Sequence, residues 1–329
     1  MEKKTEELLE ESRVTIFGGA GYLGSVLTRQ LLSEGWHVRV FDNFLFGSDG
    51  ISDLDHPRLE VIEGDINDIP SASSAISGAG AVILLAAIPG RRVQDIEHRS
   101  MRNTNLLASS AVLDAAIEHG VDRFIFASSD TVYGVPSGVV YETTIPEPVS
   151  LYARLKLRME ERIINRRRKS FHPTVLRIAT CHGLSPRMRF DLLPNRLLCA
   201  ALTRGEIRVA SEEQWRAFIH IDDAARAVLT CLKAHVNLVS GEIFNVVDKN
   251  QCLSNTQLVN TICTIAPECR VSFGGAAPDL INYRLSSSKI EKILDYSPRY
   301  SMEQSLREMK EAIESGIFGD TKRLKYHDY

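Results

Sequence analysis

A chain of 329 residues, 44% hydrophobic and 25% charged, has the composition of an ordinary globular protein and the length to bury one large core beside a smaller one. Its formal charge of -3 excludes the basic footprint of a nucleic-acid binder and gives no attraction to an anionic membrane. The longest apolar run, 79–89, is too short to span a bilayer, the start EKKTEELLEE has no apolar signal core, and the six scattered cysteines form no C-x-x-C pair. A cytoplasmic chain with reduced thiols and no metal site is the expectation.

In chain order, apolar runs of strand length alternate with helical periodicity. Residues 13–17 read as a strand, 22–34 as a helix closed by Gly35, and 37–41, 59–63 and 81–87 as further strands. A helix at 103–119 ends on Gly120, and a strand follows at 123–128. The helix expected at 151–168 carries Arg166, Arg167, Arg168 and Lys169 at its end, where cations suit the dipole. Residues 174–178 form the next strand. This alternation predicts an α/β fold, a doubly wound parallel sheet with right-handed crossovers. Beyond Thr180 the pattern loosens: 191–203, 255–265 and 302–315 look helical, and 207–209 and 242–246 extended. Residues 222–233 look like a helix returning to the sheet. The expected division is a larger domain over 12–180 with a returning segment at 222–250, a smaller mixed α/β domain over 181–221 and 251–318, and a polar tail at 319–329.

Glycines recur at Gly18, Gly21 and Gly24 in Phe17-Gly18-Gly19-Ala20-Gly21-Tyr22-Leu23-Gly24, directly after a strand and opening a helix. A Rossmann dinucleotide site needs them there, for a tight turn, close approach to a pyrophosphate and close helix–strand packing. Asp42, ending the second strand, can accept hydrogen bonds from ribose hydroxyls and repel a 2′-phosphate, which favours NAD over NADP. Asp65, after the third strand, stands where an adenine amino group could be met, or where an Asx turn forms. Tyr152 and Lys156, four apart on a helix, share one face. A free phenol near pKa ~10 is a poor base at neutral pH, and an ammonium one turn away favours the phenolate. Ser129, at a strand end, can hold the same substrate oxygen. The histidines lack ligand-like spacing, and His220 beside Asp222 and Asp223 reads as packing and hydrogen bonding.

The glycine turn, Gly64-Asp65-Ile66, Leu85-Ala86-Ala87, the run from Phe126 to Gly134, Tyr152 and Lys156 with Glu160, and Arg216-Ala217-Phe218-Ile219-His220-Ile221-Asp222-Asp223 together resemble the extended short-chain dehydrogenase/reductases. Within them they resemble the nucleotide-sugar epimerase/dehydratase group exemplified by UDP-galactose 4-epimerase. The resemblance implies catalysis by Ser129, Tyr152 and Lys156. It implies NAD contacts from Gly18, Gly21, Tyr22, Leu23, Gly24, Asp42, Asn43, Asp65, Ile66, Ala86, Ala87, Asn105 and Lys156. Substrate contacts fall to Asp130, Thr131, Thr180, Asn195 and Arg216, with Arg216 on the diphosphate. The implied reaction is a C4 epimerisation of a nucleotide-sugar through a transient 4-keto sugar. A NAD(P)H-dependent 4-keto-sugar reductase is the alternative, followed by a dehydratase or a non-catalytic NAD-binding protein.

Some residues depart from the family pattern. Thr131 stands where the dehydratases and decarboxylases carry a glutamate, which disfavours both. The family's R-x-x-N reads Arg177-Ile178-Ala179-Thr180, and Ile281 replaces an arginine expected on the diphosphate. Arg187 and Arg189 are further candidates for phosphate or sugar contact, and the loop Pro89-Gly90-Arg91-Arg92 is unusually basic. Leu106, Val112, Leu113, Leu155, Met159 and Ile163 exceed one core-facing stripe on two helices that form a two-fold interface in the family, so a homodimer is expected.

Overall fold

A computed structural model describes residues 13–89, 95–274, 282–323 and 326. Seven strands form one all-parallel sheet: β1 (Arg13–Phe17), β2 (His37–Asp42), β3 (Leu59–Glu63), β4 (Ala79–Leu84), β5 (Arg123–Ser129), β6 (His172–Ile178) and β7 (Glu242–Val246). Their order across the sheet is β3-β2-β1-β4-β5-β6-β7. The order reverses between β1 and β4, which opens a crevice at the carboxyl ends of the strands, the place where open α/β sheets bind ligands. The expected Rossmann architecture is the one found.

Parallel strands buried on both faces are apolar on both. Val14 and Ile16 enter the core under α1 (Tyr22–Ser33), while Phe17 enters the opposite one, under α2 (Ile69–Ile76). A short helix, α3 (Asp95–Arg102), precedes α4 (Ser109–Glu118), and α4 and α5 (Leu151–Ile164) cover that same second face. Past α6 (Leu193–Arg204), α7 (Ile221–Lys233) returns to pack on α1, and β7 then pairs with β6.

A smaller layer sits over the carboxyl edge. Its strand Trp215–His220 pairs antiparallel with Cys252–Ser254 and parallel with Thr180–His182. Two further two-stranded pairs join Arg270–Phe273 to Glu206–Val209, and Arg284–Leu285 to Val139–Val140. Neither Trp215–His220 nor α2 stands out in the sequence. The first is buried on both faces and shows no alternation, and the second depends on its Asp68 cap and Pro70.

Three elements differ from expectation. The strand expected to reach Ala87 stops at Leu84, because the Leu85 and Ala86 N–H groups both turn to the Phe17 carbonyl at 2.9 Å. The helix expected from 103 begins with a π-helical turn, Asn103–Ala108, before α4. The helix expected to 168 ends at Ile164: Arg168 and Phe171 pair backbone to backbone instead, and Arg166 meets Asp114 at 2.8 Å. The six apolar side chains expected at a two-fold interface are all buried within the chain, at 5% exposure or less. They are spent on covering the sheet, and Leu107, 54% exposed, is the one that faces outward on this helix pair.

Candidate active site

At the end of β1 the chain turns on Gly18 with φ +85°, a left-handed value that glycine adopts without cost. A Cβ at Gly18 would lie 2.8 Å from the Ala86 nitrogen, and one at Gly24 would lie 2.1 Å from the Gly18 oxygen. Both glycines therefore hold loop, strand and helix at a separation no side chain allows. α1 starts from Gly21, whose extended backbone brings no side-chain cap to the first turn. A dinucleotide diphosphate fits such a turn, since its N–H groups and dipole favour an anion.

Asp42 ties this turn to β2: Oδ2 accepts from Ala20 N and Oδ1 from Phe44 N, both at 3.0 Å. Burial raises its pKa above the usual carboxylate range, while those N–H groups and Arg187 pull it down. Remaining lone pairs are available to ribose hydroxyls. Asn43 beside it accepts from Leu45 N at 3.1 Å. Asp65 is exposed and closes an Asx turn on Asn67, both contacts at 2.8 Å, while neighbouring Ile66 is buried. Ala86 and Ala87 are half-buried where the loop leaves β4. Asn105 sits in the π-helical turn with 2% exposure, and both ends of its amide bracket the Ile88 backbone at 2.8 Å. That contact makes it a positioning residue for the loop after β4, and the π turn is what aims it inward.

Ser129 ends β5 at the same carboxyl edge. Its Oγ accepts from Thr131 N at 3.2 Å and from Thr131 Oγ1 at 2.9 Å, capping the 3-10 turn Asp130–Tyr133. α5 packs on β5 and on this turn, presenting Tyr152 and Lys156 from one face. Lys156 is 3% exposed and donates to the Ala127 oxygen at 2.7 Å. Its Nζ lies 4.6 Å from the Phe126 ring centre and 5.6 Å from that of Tyr152. Burial lowers its pKa to about 8, with Glu160 one turn on raising it in part. A desolvated ammonium of this kind gains from any anion forming beside it, which is the condition a phenolate base needs.

Glu160 anchors the helix from below. It accepts from Arg177 Nη2 at 2.7 Å and Nε at 3.1 Å, and from the Ser128 hydroxyl. Arg177 lies 4.7 Å from the Tyr133 ring centre, and Tyr133 donates to Asn245 at 2.7 Å. These contacts join α5, β5, β6 and β7 directly beneath Lys156.

The expected substrate residues fall into two groups. Asp130, Thr131, Thr180 and Arg216 gather where the small sheet meets the end of β5. Asp130 is 4% exposed, Arg216 8%, and the Tyr283 hydroxyl donates to the Asp130 carbonyl at 2.7 Å. Burial pushes the Asp130 carboxyl up to about 7, against hydrogen bonding from Ser129 and the positive Arg216. Asn195 belongs elsewhere: fully buried, it donates to Tyr22 Oη at 3.1 Å and the Arg189 oxygen at 2.9 Å, and accepts from Gly183 N at 3.2 Å. With Tyr22, which donates to the Gly183 oxygen at 2.7 Å, it fastens α6 to α1.

The remaining arginines and histidines have other contacts. Arg189 is paired with Asp191, Arg187 stacks 4.2 Å from the Phe46 ring, and Arg284 stacks 5.1 Å from Trp215. His220 caps α7 through Asp222 N and stacks on Tyr300 at 4.3 Å. Tyr283 joins the site without having been expected there. Its sequence signal is the tyrosine ending Asp279-Leu280-Ile281-Asn282-Tyr283, of which residues 279–281, like the basic stretch 90–92, lie outside the described residues.

The chain matches the model of the NAD dependent epimerase/dehydratase family over residues 14–246. It is 28% identical over 310 residues to an uncharacterized UDP-glucose epimerase YtcB of Bacillus subtilis, covering 89% of this chain and 95% of that one. To the uncharacterized protein y4nG of Sinorhizobium fredii it is 35% identical, over 43% of this chain and 34% of that protein. The crystal structure of UDP-glucuronic acid 4-epimerase from Bacillus cereus, with UDP-glucuronic acid and NAD, superposes with a TM-score of 0.84 at 26% identity, covering 92% and 99% of the two chains. Glycine turn, strand-end serine and buried lysine thus stand in the setting of a known group: this chain belongs to the NAD dependent epimerase/dehydratase family, among the extended short-chain dehydrogenase/reductases.

Proposed function

We propose that the chain is a nucleotide-sugar epimerase working at C4 of a UDP-linked sugar, with Tyr152 as the base. The observation that carries this reading is the buried Lys156 ammonium, one helical turn from Tyr152 and beside its ring, at the carboxyl edge that also holds Ser129. NAD held on the glycine turn, with Asp42 toward the ribose, supplies a reversible hydride acceptor. The protein's residues handle the proton. Tyr152, as phenolate, takes it from the sugar hydroxyl and returns it after the keto sugar has turned over. Lys156 favours that phenolate by charge. Ser129 receives two hydrogen bonds from Thr131 and donates a long one, 3.4 Å, to Asp130, from which its proton would turn to the sugar oxygen. Arg216 faces the diphosphate.

Thr131 supports epimerisation over dehydration or decarboxylation, because neither its hydroxyl nor its position adds a second carboxylate. We further assign residues 12–180 with 222–250 to cofactor binding and 181–221 with 251–318 to the sugar nucleotide. The test uses purified protein with UDP-glucose and UDP-galactose, following interconversion without added cofactor. Turnover with no net NADH change supports the reading, and Tyr152→Phe is expected to lower kcat at least 100-fold. Stoichiometric NADH consumption with a 4-keto sugar would instead identify a reductase.

A further inference from the structure

Asp130 is a buried carboxylate at the mouth of the proposed reaction site. Its Oδ1 accepts a hydrogen bond from the Ser129 hydroxyl at 3.4 Å. The charged and titratable groups around it are Arg216 from the strand Trp215–His220, Cys181 from Thr180–His182, Cys252 from Cys252–Ser254, Tyr283, and Tyr152 and Lys156 from α5, which packs on the same turn. Of the two cations, the proposed function commits Arg216 to the diphosphate, and Lys156 donates to the Ala127 oxygen at 2.7 Å and serves Tyr152.

We infer that Asp130 sets the charge class of the substrate, admitting a sugar whose C6 group is a neutral hydroxymethyl and rejecting a uronic acid. This rests on the C4 epimerase reading. Related proteins carry names of both kinds, one for UDP-glucose and another for UDP-glucuronic acid. If Ser129 holds O4 by an ordinary hydrogen bond of ~2.8 Å, Asp130 lies within two contacts of that oxygen. A carboxylate on the ring carbon beside C4 then falls within roughly 10 Å of Asp130 whatever the ring's orientation. At an effective dielectric of ~20, like charges repel by the equivalent of about 15-fold in affinity at ~10 Å and about 100-fold at ~6 Å. A hydroxymethyl group suffers no such loss and can donate a hydrogen bond to the same carboxylate. Because burial places the Asp130 carboxyl near 7, the selection has a pH signature: it strengthens as Asp130 ionises above neutrality and fades below it.

The test is calorimetric binding of UDP-glucose and UDP-glucuronic acid to the NAD-loaded full chain at pH 8.5 and pH 6, with turnover of the same pair followed in parallel. Expected is a preference of at least 15-fold for UDP-glucose at pH 8.5, smaller at pH 6, and nearly abolished at both pH values in Asp130→Asn. A preference under threefold at pH 8.5, or one that neither pH nor Asp130→Asn changes, overturns the assignment. Should Asp130→Asn not fold, the pH comparison on the wild-type chain decides alone. Selective binding without epimerisation would keep Asp130 in this role and remove the epimerase reading, epimerisation without selectivity would do the opposite, and failure of both ligands to bind removes both.

Discussion

Glu160→Ala tests the buried ion pair under α5, the helix that carries Tyr152 and Lys156. Glu160 and Arg177 side chains are 2% and 4% exposed, and their bidentate contact at 2.7 and 3.1 Å leaves little room for water. Glu160 holds the Arg177 proton more tightly than a free guanidinium would, against the opposing effect of burial. Removing the carboxylate strands a buried cation whose Nη1 has no hydrogen-bond partner even with Glu160 in place. Breaking one side of such a pair costs about 3–5 kcal/mol. With an unfolding entropy of about 2.1 cal/mol/K per residue, a chain of 329 residues should lose about 4–7 °C in Tm. The assay is thermal or urea unfolding of the wild type, Glu160→Ala, Glu160→Met, Arg177→Met and the double variant Glu160→Met/Arg177→Met. The double variant should recover much of the loss, since apolar residues of similar volume replace a buried pair at little net cost. A single substitution costing under 1 kcal/mol, or a double variant no better than the two single Met variants added together, rules out a buried pair of this kind. A kinetic effect accompanies it: without Glu160, the Lys156 pKa falls further below about 8 and the alkaline limb of activity moves to lower pH.

Three other outcomes are expected. Activity of the wild type should fall as pH rises through about 8, because Lys156 loses the charge that supports the Tyr152 phenolate, and a rate flat to pH 10 would count against that role. Gly24→Ala should destabilise the fold by about 1–3 kcal/mol and weaken NAD binding at least tenfold, since its Cβ meets the Gly18 oxygen at 2.1 Å, and fluorescence titration with NADH gives the affinity. His182 and His220 should steepen acid unfolding. Burial lowers their pKa values to about 3 and about 4 in the folded chain, so the unfolded chain binds more protons between there and pH 6.5. Their stabilisation is complete above pH 6.5 and lost as pH falls, by about 1.4 kcal/mol per unit for each. His220→Asn keeps a cap for α7 and should shift the acid midpoint down; an unchanged midpoint rejects the account.

Where the residues form a local pattern, their placement could be read from the chain itself. The glycine spacing is legible because a pyrophosphate turn needs it regardless of the rest of the fold, and Tyr152 with Lys156 because four residues make one helical turn. Asp42 is legible as the end of a strand, though only the folded chain shows it tying down Ala20 and Phe44. Asn195 illustrates the converse. As a polar residue near two arginines it resembles a ligand contact, yet folding turns its amide onto Tyr22 and Gly183.

Alternating strands and helices with a glycine turn were enough to determine the sheet, its parallel sense and the edge that carries the glycine turn, because those follow from short-range pattern and the handedness of crossovers. The gathering of Asp130, Arg216 and Tyr283 was decided by tertiary structure alone. These residues are 153 positions apart at the extremes, and no local period relates them. Only the return of the small sheet over the end of β5 removes them from water together, and desolvation is what gives that carboxylate its chemistry.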